Sequence, residues 1–281
     1  MIEIPSSALK YEPIAVSDES TVVSAYVPDP TGMRDYQSEA QLEVDLITRL
    51  QTQAYEYLPI TTSADLESNV RYQLELLNDV TFTDSEWKRF FTTTVAAKNE
   101  GIVEKTARIQ EDPIQPLTRD DGTTKNIRLI DKTNIHNNRL QVINQYEVTG
   151  QAAGVARQNR YDVTILVNGL PLIHVELKRR GVALKDAFNQ INRCGRGSFW
   201  VESGLFEYVQ LFVISNGTQT KYYSNTTRDR RVTESAGGKR NKKQSSNSFE
   251  FTSWWTDANN KRIGDLTAFT KTFFAKHTLL N

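Results

Sequence analysis

The chain has a single cysteine, Cys194, among 281 residues, so it can close no disulfide of its own, and a reducing, cytoplasmic setting is the expectation. No apolar run approaches the roughly 20 residues that a membrane-spanning helix needs. The opening MIEIPSSALKYEP lacks the pattern of a signal peptide. An excess of charge of one sign is missing too: 34 Lys and Arg balance 34 Asp and Glu. That argues against a protein that coats nucleic acid by bulk charge, but it leaves room for a local basic groove. No G-x-x-x-x-G-K-[ST] phosphate loop occurs. Gly237-Gly238-Lys239 lacks the spacing, and Gly195-Arg196-Gly197 lacks the lysine and hydroxyl, so ATP binding is not expected of this chain. There is no internal repeat. A hydrophobic content of 38% is that of an ordinary globular protein, long enough for one large domain or two small ones with a substantial core.

Patterning divides the chain. Residues 1–37, with prolines at 5, 13, 28 and 30, read as an extended arm with at most short strands. Ser38 and Gln41 have the spacing of a capping box ahead of a helix carrying Leu42, Leu46, Ile47 and Leu50. A second amphipathic helix spans 64–78. Thr83 and Glu86 cap a third containing Trp87, Phe90 and Phe91, and Gly101–Glu111 is a candidate fourth. After Pro116 the pattern turns to strands: Leu117–Arg119, Asn126–Ile130, Leu140–Val148, Tyr208–Ile214, Lys221–Ser224 and Phe249–Trp255, with a helix through Leu184, Ala187, Phe188 and Ile191. Residues 228–247, RDRRVTESAGGKRNKKQSSN, have no apolar face and read as a basic loop whose role stays open: DNA, another domain or nothing. Leu266, Phe269 and Phe273 mark a last helix.

One stretch carries chemistry. In RYDVTILVNGLPLIHVELK, residues 160–178, two runs rich in β-branched residues flank Asn168-Gly169, a strong hairpin signal. If Val163, Ile165 and Val167 share a core-facing side with Ile173, Val175 and Leu177, then Val163 lies across from Val175 and Ile165 across from Ile173, because a slip by one residue reverses every side chain. This register requires an odd-numbered connection or a bulge, with Pro171 expected in the loop. It also sets Asp162 opposite Glu176, with Lys178 on the same face. Opposed carboxylates repel, and a divalent cation between them removes that conflict. Two carboxylates and substrate phosphate oxygens suit Mg²⁺, and a nearby lysine can neutralise charge on a phosphorus centre. The plainer alternative is a Glu176–Lys178 strand salt bridge on a solvated face. His174 shares the face of Glu176 and is expected to look into solvent, the other reading being that it approaches the acids. Glu43 is a candidate third acid beside the apolar stripe of the first helix. Glu39, one turn earlier, competes with it, and both also suit a solvated helix N-terminus. Lys178, Arg179, Arg180, Lys185, Arg193 and Arg196 form a basic cluster that suits a DNA backbone or a plain solvated face.

Asp162, Glu176-Leu177-Lys178 and the following helix with Ala187-Phe188-Asn189-Gln190 resemble the PD-(D/E)xK nuclease core. More narrowly, NGLPLIHVELKRRG, AFNQ and LFVISNGT resemble the N-terminal nuclease domain of the restriction subunit of type I restriction-modification enzymes. The likeness reaches back to SEAQLEVDLI and forward to FFAKHTLLN, nearly the whole chain. It implies an α/β fold with a mixed central sheet flanked by helices, extra N-terminal helices, and a Mg²⁺-dependent DNA endonuclease. Asp162 and Glu176 would be metal ligands, with Glu43 as a candidate third, and Lys178 the catalytic lysine. Gln190 would be the glutamine of the Q-x-x-x-Y helix motif, or else a plain helix-edge amide. Cys194 stands where the tyrosine of that motif is usual. Arg179, Arg180, Lys185 and Arg193 would line the DNA backbone. The implied organisation is an arm over 1–37, a nuclease domain over 38–260 (helices 38–111, catalytic core 117–225, basic loop 228–247), and a C-terminal helix over 261–281 that begins a linker to an ATP-driven motor absent from this chain. Implied partners are double-stranded DNA, the motor itself, and the modification (methyltransferase) and specificity subunits. Cleavage would follow translocation, without base-specific readout by this fragment. Two other readings stay open: a non-cleaving module docking the motor onto the methyltransferase core, and a repair or junction nuclease of the same superfamily.

Overall fold

A computed structural model describes residues 11–16, 21–28, 37–152, 155–194, 204–225 and 248–280. Its frame is a six-stranded mixed sheet. The strands are β3 (Glu56–Tyr57), β6 (Leu140–Ala152), β7 (Val155–Val167), β8 (Leu170–Leu177), β9 (Leu211–Ser215) and β10 (Thr220–Ser224), in the order β10-β9-β8-β7-β6-β3. Two further pairs stand outside it, β1 (Tyr11–Val16) with β2 (Thr21–Tyr26) and β4 (Ile114–Thr118) with β5 (Thr124–Arg128). The helices are α1 (Glu39–Gln51), α2 (Ser63–Asn78), α3 (Asp84–Phe90), α4 (Ile102–Gln110), α5 (Leu184–Cys194), α6 (Leu266–Phe273) and α7 (Lys276–Leu280). Among the described residues no helix is long and apolar enough to cross a membrane.

The register expected for the central hairpin is observed: Val163 pairs with Val175 and Ile165 with Ile173. Asn168 and Gly169 both take positive φ, 51° and 82°, as a tight two-residue primed turn requires. Parity is restored by a bulge rather than by loop length, because Leu166 pairs with Pro171 and Leu172 becomes the extra residue. Pro171 is therefore inside β8 at the bulge, not in the loop. Gly169 lies against α2, where a Cβ would sit 2.7 Å from Val70 Cα.

Leu42, Leu46, Ile47 and Leu50 of α1 enter the main core, and the Ser38 hydroxyl caps the helix by accepting from Gln41 N–H at 3.2 Å. The Gln41 amide turns to Asp45 rather than back to Ser38, so only half of the expected capping box forms. At Thr83 and Glu86 the box is complete. Phe188 of α5 packs edge-on against Tyr223 of β10, at 5.0 Å between ring centres. The β1–β2 pair joins a smaller core in which Val23 and Tyr26 meet Ile263 and Ala268. Tyr26 N–H is fixed there by Asp257 Oδ2 at 2.8 Å. Phe249–Trp255, expected as a strand, is instead a 3₁₀ turn over Ser248–Phe251 followed by a single bridge from Ser253 to Tyr222. The expected basic loop, 228–247, and Arg196 lie outside the described residues.

Candidate active site

β7 and β8 separate at the end away from their turn, and the acids sit at that fork. The ladder ends at Val163 and Val175. The next amide, Leu177 N–H, donates 2.8 Å to Asp162 Oδ2 in place of a β7 carbonyl. Asp162 Oδ1 has no hydrogen bond from the protein among the described residues. Burial pushes the Asp162 carboxyl up to about 7. The neighbouring Glu176 charge pushes the same way, and Glu43 adds to it; the Leu177 N–H and Lys178 oppose. The two acids and the lysine thus form one electrostatic unit.

Glu176 is 1% exposed, and Lys178 is buried as well. The Lys178 ammonium donates to Glu176 Oε1 at 3.0 Å and to Leu177 O at 2.9 Å, and Glu39 Oε2 lies 3.9 Å away. The solvated-face reading of this pair is not what the structure holds. His174 is buried rather than solvent-facing, with Nε2 3.5 Å from Glu176 Oε2 and its ring edge-on to Tyr161 at 5.0 Å. All of β8 from Leu170 to Leu177 is buried, because the strand lies inside the sheet with neighbours on both sides. Simple alternation assumes one wet face, which an interior strand of a mixed sheet does not have.

The helical spacing of Glu39 and Glu43 stacks both beside the fork. Glu39, exposed, also accepts from Arg179 N–H at 3.3 Å. Glu43 is buried, with Oε1 accepting from Asn144 Nδ2 at 2.5 Å and Oε2 accepting from Gln145 Nε2. Sequence reasoning missed Asn144 and Gln145; the only signal was two adjacent polar residues interrupting the apolar run Val142-Ile143 in a strand. Gln190 is half-buried on α5, and no hydrogen bond ties it to the acids or Lys178 among the described residues. Arg179 and Lys185 are exposed; Arg180 donates from Nη2 to Gln37 Oε1 at 2.8 Å, and Arg193 lies near the C-terminal end of α5.

Among the described residues, no three His, Cys, Asp or Glu side chains form a metal cage by themselves. The arrangement still fits Mg²⁺, which takes hard oxygen donors, keeps several waters, and is commonly held by one or two carboxylates plus substrate phosphate. Asp162 Oδ1 is available, and the repulsion between half-buried Asp162 and buried Glu176 is what a cation relieves.

Residues 36–231 match the family described as type I restriction enzyme R protein N terminus. The chain is 47% identical over 271 residues to the type I restriction enzyme EcoprrI endonuclease subunit of Escherichia coli, covering 96% of this chain and 80% of that protein. It is 37% identical to the SsaAORF53P endonuclease subunit of Staphylococcus saprophyticus and 36% identical to the SauMSSORF170P endonuclease subunit of Staphylococcus aureus, in each case over 85% of this chain and 23% of the relative. The chain therefore spans most of the first relative but under a quarter of the staphylococcal ones. By these matches the chain belongs to the family of type I restriction enzyme R protein N termini.

Proposed function

We propose that this chain is the Mg²⁺-dependent nuclease module of a type I restriction subunit, hydrolysing phosphodiester bonds of double-stranded DNA after an ATP-driven motor elsewhere in the subunit has moved the DNA. On this reading the fork of β7 and β8 is a PD-(D/E)xK-type centre, and the partners are DNA, the motor, and the modification and specificity subunits. The observation that carries it is the convergence of Asp162, Glu176 and Lys178, with two acids close enough for the Glu176 charge to raise the Asp162 pKa. Family membership and the endonuclease names of the relatives support it.

Asp162 and Glu176 would hold Mg²⁺, which when bound supplies a Lewis acid for the scissile phosphate and lowers the pKa of an attacking water. Lys178 brings a mobile ammonium to this end of β8. In the free protein it is held by Glu176 Oε1 and the Leu177 carbonyl. From this end of β8 the Lys178 ammonium would serve to offset the charge that develops on the phosphoryl oxygens of a bound phosphate. Burial of the unit keeps these interactions strong, since screening by water is reduced.

The test is plasmid cleavage by the assembled restriction enzyme carrying Asp162→Ala or Lys178→Ala in this module. The expected result is loss of cleavage by at least roughly a hundred-fold, the scale of losing one transition-state electrostatic group, with ATP hydrolysis and translocation retained. Cleavage at wild-type rate in either variant overturns the reading and favours a non-cleaving docking module.

A further inference from the structure

Gln145 occupies an unusual place. In β6 its neighbours Asn144 and Tyr146 pair normally with Val163 and Tyr161 of β7, which leaves Gln145 and Asp162 facing each other across an interrupted ladder. Its φ is 53°, in the left-handed region. The other described non-glycine residues with positive φ, Ala54, Asp79, Asn168 and Asn260, lie in turns or at a helix end, so Gln145 is the one within a strand. A β6 residue held in this conformation, at the register position of a candidate metal-binding acid, is the kind of outlier that clusters at functional sites.

The side chain has an arrangement to match. Gln145 Nε2 donates to Glu43 Oε2, while Asn144 Nδ2 occupies Glu43 Oε1. That fixes which way the amide points, because the reverse orientation would set a carbonyl against a carboxylate. The remaining atom, Gln145 Oε1, is buried and has no hydrogen-bond partner among the described residues. A buried amide oxygen without a donor costs free energy unless something fills the role. It is also the type of ligand, neutral and hard, that a divalent cation or one of its waters accepts beside two carboxylates.

We propose that Gln145 supplies a third, neutral oxygen to the cation site of Asp162 and Glu176, either directly or through a cation-bound water, and that Glu43 serves it as the acid that fixes the amide. This rests on the cation reading of the site. It reassigns Glu43 from candidate ligand to support for a ligand, and it gives the positive φ of Gln145 a purpose.

The test is Mn²⁺ binding to the full 281-residue chain, followed by the loss of the free-ion paramagnetic resonance signal, together with thermal melts without cation. Gln145→Gly is the decisive variant. Glycine adopts positive φ freely, so the backbone is relieved rather than broken while the oxygen is removed. The expectation is a cooperative melt without cation, showing that the variant folds although Glu43 Oε2 has lost a donor, and Mn²⁺ affinity weaker by roughly ten-fold or more, as for lost groups around a metal site. Gln145→Asn, which keeps an amide and tolerates positive φ, is expected to bind between the two. If Asp162→Ala abolishes binding but Gln145→Gly binds as wild type does, this proposal fails and the cation reading stands. Asp162→Ala binding as wild type does would remove the cation reading, and this proposal with it. A drop in melting temperature in both Gln145 variants, with Mn²⁺ affinity unchanged in either, would assign the side chain a purely structural role and overturn the proposal.

Discussion

Asp162 is held in a conflict that its surroundings create: a carboxyl taken out of water next to a second acid, relieved by one backbone N–H and a lysine. Its pKa in the metal-free fold is about 7 against an ordinary 3.8. Below pH 3.8 the group is protonated in both folded and unfolded chains. Between there and about 7 the unfolded chain has lost the proton and the folded one keeps it, so rising pH favours unfolding throughout that window. Asp162→Asn removes the effect while keeping an oxygen for Leu177 N–H. With cation chelated, the variant should melt at the same temperature as wild type near pH 4 and above it at pH 8, by an amount worth a few kcal/mol at most. Added Mn²⁺ should then raise wild type and leave the variant unmoved. A melting difference independent of pH would show that Asp162 is not the group under strain. The acid pair and Lys178 could be read in the sequence because apolar alternation sets register independently of the acids. Gln145 could not, because positive φ at a residue other than glycine leaves no mark in the amino-acid string.

At the level of elements, the β7–β8 hairpin shows where local reasoning holds and where it stops. Val163 opposite Val175 follows from period-two burial, and the turn follows from Asn168-Gly169. The location of the bulge does not follow, since a bulge at Leu172 and a longer loop satisfy the same parity. Burial of His174 depends on the sheet around β8 and on the aromatic rings near it, a tertiary fact. The two-residue β3 is too short to announce itself, and it exists because it can pair parallel with Gln141 and Val142. The hairpin is also braced from outside, as its turn presses on the α2 backbone at Val70. Gly169→Ala therefore meets two penalties, a left-handed φ costing about 1–2 kcal/mol and a Cβ inside contact distance of backbone, where overpacking costs about 1–3 kcal/mol. Urea unfolding should show a loss of roughly 2 kcal/mol or more. Gly122→Ala, also at positive φ but with open space around its Cβ, should lose only the first part. Equal losses in the two variants would mean that the contact with α2 does not brace the hairpin.

Across the whole molecule, a net charge of zero conceals an uneven distribution. Lys178, Arg179, Arg180 and Lys185 follow one another from the end of β8 into the first turn of α5, beside the fork that carries the acids. Their situations differ. Arg179 and Lys185 are exposed and can reach a phosphate without giving up a partner, whereas the Arg180 guanidinium is bound to Gln37 and half-buried. If this edge tracks a DNA backbone as proposed, each exposed cation that contacts a phosphate releases about one counterion's worth of salt dependence. Affinity of the chain for a short duplex, measured by fluorescence anisotropy with Ca²⁺ replacing Mg²⁺, should fall as salt rises. The slope of log K against log salt should shrink by roughly 1 for Arg179→Ala and again for Lys185→Ala, and by less for Arg180→Ala. The weakening should be alike on unrelated sequences, because phosphate contacts carry no base information. A double Arg179→Ala, Lys185→Ala variant with the wild-type slope would remove this edge from the DNA path, and would leave the acid fork to be fed from another side.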